Sequence, residues 1–155
     1  MNVSVLSYSF RGLLAEGKMD LFGYLETCKY RYHLSAADIW SGFFPSTDPD
    51  YLKKVNEELD ERELVLADLC VDNAHIWDSQ PDVRERNYQN ALTYLKVADT
   101  LGARFMRVEV GRTHGQMRSS ITLSCATRST PNGHMTNGFW LASKTIGDLN
   151  AHGKI

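Results

Sequence analysis

The sequence has little of what marks secreted, membrane or nucleic-acid-binding proteins. Only three cysteines occur in 155 residues, all far apart, which argues against a disulfide framework or zinc motif and predicts reduced thiols in a cytoplasmic protein. The apolar runs are too short to span a bilayer, so we expect no membrane partner. A net charge of −2, without any basic run, argues against a nucleic-acid partner.

The clearest pattern in the chain is a strand, a helix and a second strand within residues 64–112. An apolar run at 64–71 leads through a polar loop to a long amphipathic segment that stops at Gly102, and a second apolar run follows at 105–110. This spacing is typical of two parallel strands joined by a crossover helix. The length of 155 residues is enough for one domain with a hydrophobic core.

The segments before this unit repeat the same order of strand and helix. Residues 3–9 and 33–40 predict strands, and residues 19–32 predict a helix with Asp20 near its start. Asp48 predicts the N-cap of a further helix, with a proline at its first position. A complete TIM barrel needs about 250 residues. We therefore predict an α/β fold that is a partial TIM barrel, with its first four strands and three helices.

The fourth predicted strand, residues 105–110, carries charges on one of its two faces. Arg107 and Glu109 point one way, whereas Met106, Val108 and Val110 point the other. Parallel sheets covered by helices are normally apolar on both faces. Two interpretations fit this alternation: a face that lines a polar barrel interior or site, and a structural ion pair with a neighbouring strand.

Polar side chains follow several predicted strands at their carboxyl ends, where α/β enzymes place their sites. Asp72, Asn73 and His75 form either a site loop that contacts substrate oxygens or an Asx-type turn with a surface histidine. Glu109 either holds a substrate hydroxyl or pairs with a nearby arginine. Asp38 is either a site residue or a turn cap.

Four stretches resemble one known family. They are VLSYSF, CKYRYHLSAADIW, LADLCVDNAHIW and ALTYLKVADTLGARFMRVEVG, in chain order. They resemble the sugar phosphate isomerase/epimerase family, whose xylose-isomerase-like TIM barrel endonuclease IV also uses. The last stretch is the most specific, because a helix passes through LGA into a strand that ends in glycine. The resemblance covers residues 3–112, about the first half of a family barrel.

The resemblance implies an isomerase or epimerase acting on a sugar or sugar phosphate with the help of a divalent metal, Mn²⁺ or Mg²⁺. Metal ligands in this family lie mostly in the second half of the barrel, so we expect this chain to bind no metal. The resemblance makes Glu109 the catalytic candidate and Phe10, Asp38, His75 and Arg112 the substrate-binding candidates. Phe10, Trp40 and Trp77 could form an apolar wall for the carbon face of a sugar, although aromatic residues are more often plain core.

Residues 113–155 depart from the family pattern, since they are rich in Ser, Thr, Gly and Asn and have no helical stripe. We predict a domain at 1–112 and an irregular tail at 113–155. In a shifted reading frame, the codons of SKTIGD at 143–148 can encode Glu-Asn-His-Trp-Gly, which resembles the fifth-strand motif of the family. The hypothesis is a frameshifted product whose native sequence ends near Arg112, and the alternative is a genuine, divergent polar tail.

We expect such a half barrel to be a weak or inactive enzyme. Its first and fourth strands would be open edges, which favours a homodimer through those edges. Two alternatives from other classes remain. An endonuclease IV-like nuclease would need a basic groove and several strand-end histidines, and the chain has one such histidine, His75. A non-catalytic α/β fragment or binding module would need a further strand in the tail, for which residues 121–125 are a weak candidate.

Overall fold

The parallel strands expected from the sequence form the centre of the structure. The computed structural model describes residues 3–75, 77–111, 119–129 and 135–141. The α-helices are α1 (Arg11–Ala15), α2 (Leu21–Glu26), α3 (Pro49–Glu61) and α4 (Pro81–Thr100). The strands are β1 (Ala36–Trp40), β2 (Val65–Val71), β3 (Phe105–Gly111), β4 (Ser119–Ser129) and β5 (Met135–Leu141). Three single turns complete the list: 3₁₀ turns at Ser7–Phe10 and Ser41–Phe43, and a π turn at Thr27–Arg31.

The five strands form one sheet in the order β1-β2-β3-β4-β5. The pairs β1–β2 and β2–β3 are parallel, and α3 and α4 connect them in sequence. The pairs β3–β4 and β4–β5 are antiparallel. The structure therefore confirms a mixed α/β fold with a three-stranded parallel sheet.

One face of the parallel strands packs against the helices and forms the core. Ile39 of β1, Leu69 of β2 and Met106 of β3 are fully buried there, together with Val55 of α3 and Val97 of α4. The other face carries the polar residues of the same strands. The predicted alternation on 105–110 is confirmed for Met106 and Val108, which are buried, while Arg107 and Glu109 are partly exposed.

Helix boundaries follow the capping signals in the sequence. Asp20 caps α2, because its Oδ1 accepts a hydrogen bond of 2.8 Å from the Gly23 N–H. Asp48 is the N-cap of α3, as predicted, but its carboxylate accepts from Ser46 Oγ and caps no helical N–H. After α4 the chain turns at Gly102 with φ +62°, the left-handed conformation that glycine adopts readily.

The pairing of β1 with β2 contains a β-bulge. Ala37 is level with Leu66, but the next residue of β1, Asp38, is level with Asp68, so Ala67 is the extra residue in β2. A bulge of this kind locally changes which side chains point to each face. Here it sets Asp38 and Asp68 side by side on the polar face.

Residues 3–9 were predicted to be a strand, and this prediction is wrong except at one position. Leu6 makes an isolated parallel bridge to Asp38, and a 3₁₀ turn follows at once. The neighbouring backbone groups are bound by side chains instead of a strand: Ser7 Oγ accepts from the Trp40 N–H at 2.8 Å, and the Tyr24 hydroxyl donates to Val5 O at 2.6 Å. The long helix predicted for 19–32 is α2 followed by the π turn.

The prediction of an irregular tail is wrong for residues 119–129 and 135–141, which are strands β4 and β5. The weak candidate strand at 121–125 lies inside β4. Because β4 pairs with β3 along residues 105–111, the predicted open edge at the fourth strand is also wrong. A homodimer stays a prediction. Within the described residues, no helix has the length and apolarity needed to cross a membrane.

Candidate functional site

A cleft of about 490 Å³ lies at the carboxyl ends of the three parallel strands. This is a volume typical of small-molecule sites. Its polar lining comes from the end of β2, the loop after it, and β3. These residues are Cys70, Asp72, Asn73, His75, Arg107 and Glu109. The cleft is therefore at the edge of the sheet where an α/β enzyme is expected to carry its chemistry.

Two aromatic residues form the other wall of the cleft. Trp40 ends β1, and Tyr8 comes from the 3₁₀ turn after Leu6. Their rings meet edge to face, with centroids 4.9 Å apart and planes at 88°. The guanidinium of Arg11 stacks on the Tyr8 ring, 4.4 Å from its centroid. One side of the cleft is thus apolar and the opposite side is polar.

Contacts with four residues fix the orientation of Trp40. Its indole Nε1–H donates to Asp72 Oδ2 at 2.8 Å, and its backbone N–H donates to Ser7 Oγ. Its six-membered ring lies against the backbone of Gly42, where an added Cβ would overlap the ring. Phe43 packs beside it with centroids 6.3 Å apart. These contacts hold the indole in place before any ligand arrives.

Hydrogen bonds also fix the loop after β2. The Asp72 N–H donates to Ser41 Oγ at 3.1 Å, and Asn90 Nδ2 of α4 donates to the carbonyls of Asp72 and Asn73 at 2.9 and 3.1 Å. Asn73 has φ +53°, a left-handed conformation that asparagine tolerates better than most residues. His75 Nε2 lies 3.9 Å from Asp78 Oδ2 on the same loop. The loop is thus a turn that also lines the cleft, and its contact with substrate oxygens stays a prediction.

Two residues of the lining, Cys70 and Arg107, contact each other and the neighbouring Asp68 of β2, which is not part of the lining. Arg107 Nε donates to Cys70 Sγ at 2.8 Å and lies 3.8 Å from Asp68 Oδ2, and a second guanidinium N–H also donates to the sulfur. Burial raises the pKa of Asp68 to about 6, an effect that Arg107 opposes and the charge of Asp38 reinforces. Burial also raises the pKa of the Cys70 thiol, against the effect of Arg107.

Asp38 and Asp68 are register neighbours on the polar face of the sheet, and neither is part of the cleft lining. Ser4 Oγ donates to Asp38 Oδ2. The other oxygen of each carboxylate, Oδ1 in both, is buried without a hydrogen-bond partner among the described residues. A buried acceptor without a partner destabilises the fold, because it has lost its hydrogen bonds to water. The carboxyl groups of Asp38 and Asp68 therefore lie close to each other, beside the guanidinium of Arg107 that lines the cleft.

The structure brings together some of the predicted site residues. Glu109 and His75 both line the cleft. Asp38 lies below it on the same sheet face, and Phe10 packs against the rings of Tyr24 and Tyr32 instead of lining it. Arg112 lies outside the described residues. The catalytic and substrate-binding roles of these residues stay predictions.

Sequence reasoning did not single out Tyr8, Asp68 or Cys70. Tyr8 lies within residues 3–9, whose pattern predicts a regular strand and gives no sign of the 3₁₀ turn that brings Tyr8 to the cleft. Asp68 and Cys70 are polar positions within an apolar strand, and their spacing of two residues is a signal that they share a face. The bulge before Asp68 obscured that alternation. Arg107 satisfies both predicted interpretations, because it pairs with β2 and also lines the cleft.

The resemblance implies a divalent metal, which would need several His, Cys, Asp or Glu side chains close together. Within the described residues, no three His, Cys, Asp or Glu side chains come together in a way that could hold a metal ion. His75, Asp72 and Glu109 line one cleft without forming such a group. The described residues do not fit a metal centre, and the chemistry proposed below involves only the side chains of this chain.

No protein-family model matches the chain, and no curated protein matches it.

Proposed function

We propose that the chain is the first half of a sugar isomerase/epimerase barrel and that its cleft binds a small ketose or ketose phosphate. The observation that carries the proposal is the convergence of Glu109, from β3, and His75, after β2, in one cleft at the carboxyl ends of parallel strands. The resemblance of residues 3–112 to the family points to the same edge of the sheet.

The cleft supplies the groups that a polyhydroxylated carbonyl compound needs. The carboxylates of Glu109 and Asp72 can accept hydrogen bonds from sugar hydroxyls, and Trp40 offers an apolar surface. In the proposed isomerisation Glu109 takes a proton from the carbon next to the carbonyl and returns it to the carbonyl carbon, while the proton of the neighbouring hydroxyl moves to the carbonyl oxygen. In an epimerisation the proton returns to the opposite face of the carbon that lost it. His75 positions a substrate hydroxyl.

We expect turnover by this chain to be weak or absent. The described parallel strands are three, whereas the resembled barrel closes with eight around its substrate. Ligand bound in an open cleft keeps contact with water, which weakens the electrostatic stabilisation of a transition state. Binding is therefore the primary test, and proton exchange is the secondary one.

The experiment is saturation-transfer NMR with D-fructose and D-fructose 6-phosphate, followed by exchange of the substrate C1 protons in D₂O. We expect saturable binding of at least one ketose. Glu109→Gln should weaken it about tenfold, because a hydrogen bond to a charged group contributes about 1.5–3 kcal/mol. The matched control is Glu57→Gln on the exposed surface of α3, which should leave binding unchanged. Lack of saturable binding of either ketose by folded protein would refute the proposal.

A second candidate is a non-catalytic α/β binding module. The observation that favours it is β4, which extends the sheet beyond β3 where this alternative needs a further strand. Hydrogen exchange over residues 119–129 separates the candidates. Protection comparable to that of β2 supports the module, whereas exchange at the rate of an unstructured peptide supports a barrel half with a frameshifted tail. Resequencing the coding DNA past the Arg107 codon tests the frameshift directly.

A further inference from the structure

We propose that the cleft contains a proton-controlled anion site, in which uptake of one proton by the neighbouring carboxyl groups of Asp38 and Asp68 strengthens the binding of a small oxyanion to Arg107. Arg107 connects the two places, because it lines the cleft and its Nε also lies 3.8 Å from Asp68 Oδ2. Two features of the structure support the proposal, namely the weak acceptors around the guanidinium and the crowding of the two carboxyl groups. Neither depends on whether the cleft also binds a ketose.

The described partners of Arg107 satisfy its guanidinium poorly. Its Nε–H and Nη2–H both donate to Cys70 Sγ, and a thiol sulfur is a weak acceptor. Burial raises the pKa of this thiol, so it is neutral at pH 7. Asp68 Oδ2 lies beyond hydrogen-bonding distance of Nε, so this contact is an ion pair only. Because the arginine side chain is 38% exposed and lines the cleft, an oxyanion with two acceptor oxygens can replace the sulfur as its partner.

The two carboxyl groups on the polar face of the sheet are too crowded to be readily ionised together. The bulge in β2 sets Asp38 and Asp68 level with each other, and Oδ1 of each is buried without a hydrogen-bond partner among the described residues. Desolvation and a neighbouring like charge both favour the protonated form of a carboxyl group. Burial, with a contribution from the charge of Asp38, raises the pKa of Asp68 to about 6, in agreement with this geometry. The pair therefore takes up one proton as the pH falls from 7 toward 5.

The groups that face Asp68 come from both neighbouring strands, since the helices pack on the opposite face of the sheet. β1 contributes Asp38, whose Oδ2 accepts from Ser4 Oγ, and β3 contributes Arg107. Cys70 is two residues further along β2, and its sulfur contacts the same guanidinium. Two carboxylates beside one guanidinium leave an excess of negative charge that repels an anion, and one proton removes this excess. The same proton weakens the ion pair that holds Arg107 toward Asp68.

The test measures binding of sulfate, which remains a dianion between pH 5 and pH 7.5. Its dissociation constant is obtained at both pH values, at constant ionic strength, from the NMR shift of the Arg107 Nε–H. We expect binding to be about fivefold tighter at pH 5, the effect of one unit charge at a partly screened distance. Linkage makes the effect reciprocal, so saturating sulfate should raise the titration midpoint of the Asp68 carboxyl carbon by about 0.7 pH units, the logarithm of that ratio.

Three variants identify the group that takes up the proton. Asp68→Asn resembles the protonated carboxyl group, so at pH 7.5 it should bind sulfate as tightly as the unmodified protein does at pH 5, and most of the pH dependence should disappear. Histidines ordinarily gain their charge in this pH range, so His75→Gln is the control within the lining and should keep most of the dependence. Asp60→Asn, on the exposed end of α3, removes the same charge elsewhere and should change neither constant. The lining carboxylates Asp72 and Glu109 are unchanged in all three variants.

A fourth variant tests the anion site itself. Arg107→Lys keeps the positive charge but lacks the planar fork, so it should weaken sulfate binding at both pH values. Circular dichroism confirms that each variant is folded.

The outcomes separate the proton control, the anion site and the proposed function. Sulfate binding that is equal at the two pH values overturns the proton control, and so does a pH dependence that survives Asp68→Asn but disappears in His75→Gln. Lack of saturable sulfate binding by folded protein at pH 5, or binding that Arg107→Lys leaves unchanged, overturns the anion site. Ketose binding is measured at pH 7.5 without sulfate, so its failure overturns the proposed function and leaves the anion site standing.

Discussion

Replacing Asp68 with asparagine should stabilise the protein at neutral pH. Burial raises the pKa of Asp68 from 3.8 to about 6, so the folded state holds this proton more tightly than the unfolded chain does. Two pKa units correspond to about 3 kcal/mol against the ionised form. About a quarter of the side chain is exposed to solvent, at 24%, which reduces our expectation to about 1–2 kcal/mol.

The sign of the effect follows from the direction of the shift. Above pH 6 Asp68 is ionised in both states, and its buried charge then lowers the free energy of unfolding by the full amount. As the pH falls from 7 through 6 toward 4, the folded state takes up the proton first, so this contribution raises stability. Asp68→Asn should therefore be more stable than the unmodified protein at pH 7.5, and the difference should disappear near pH 4.

The measurement is urea unfolding followed by circular dichroism at four pH values between 4.5 and 7.5. Asp60→Asn is the matched control, since this carboxylate is exposed and its removal should change the free energy of unfolding by less than about 0.5 kcal/mol at each pH. A destabilised Asp68→Asn protein at pH 7.5, or a difference that does not change with pH, would refute the reasoning. The first result would mean that the pairing of Asp68 with Arg107 outweighs its desolvation, and the second that the two effects balance.

Three further perturbations test other parts of the structure. Tyr24→Phe removes a hydroxyl that accepts from the Asp38 N–H at 3.0 Å, and we expect a loss of about 1–3 kcal/mol in urea unfolding; a loss below 0.5 kcal/mol would contradict that hydrogen bond. Gly102→Ala forces alanine into φ +62°, which should lower the thermal midpoint through a cost of about 1–2 kcal/mol, and an unchanged midpoint would count against the left-handed turn. Asn90→Ala removes the side chain that donates hydrogen bonds to two loop carbonyls. Hydrogen exchange in the loop at Asp72 should therefore become faster, with little change in global stability. Unchanged exchange would show that other contacts hold the loop.

The central strand–helix–strand unit could be predicted closely from the sequence. The apolar runs that became β2 and β3 and the amphipathic pattern of α4 are local signals, and proline and Gly102 mark the helix ends. The buried face of α4 does not follow its apolar residues alone, since Tyr88 is half exposed while Asn87 beside it is buried. Periodicity gives the approximate direction of a face, and packing against the sheet sets its final rotation.

The two ends of the chain were harder to predict, for different physical reasons. At residues 3–9 the composition suits a strand, but long-range side-chain hydrogen bonds from Ser7 and Tyr24 compete with strand pairing there. In β4 the many serines and threonines predict an irregular polar tail by composition, although threonine is β-branched and favours strands. A short stretch of sequence reveals neither the long-range hydrogen bonds at residues 3–9 nor the pairing of β4 with β3.

The sequence predicts the approximate position of the candidate site in the sheet but not the contacts within it. Strand-end polar residues predicted a site at this edge of the sheet, and two of them, Glu109 and His75, line the cleft that lies there. Of the aromatic residues predicted as an apolar wall, Trp40 lines the cleft, whereas Phe10 and Trp77 do not. Tyr8 could not be predicted there, because it meets Trp40 through tertiary packing between segments 32 residues apart. The ion cluster below them depends on strand register, which the sequence of one strand does not specify.

The bulge in β2 also resists slippage of the strand. Leu66 and Leu69 both face the helices although they are three residues apart, which a regular strand with its period of two cannot achieve. If β2 straightened and slid by one residue, Asp68 would turn into the helix-packed core and Leu69 would turn out of it. Burying that carboxylate without a partner would be strongly unfavourable. The bulge therefore favours one register of the central strand and makes the adjacent register unfavourable.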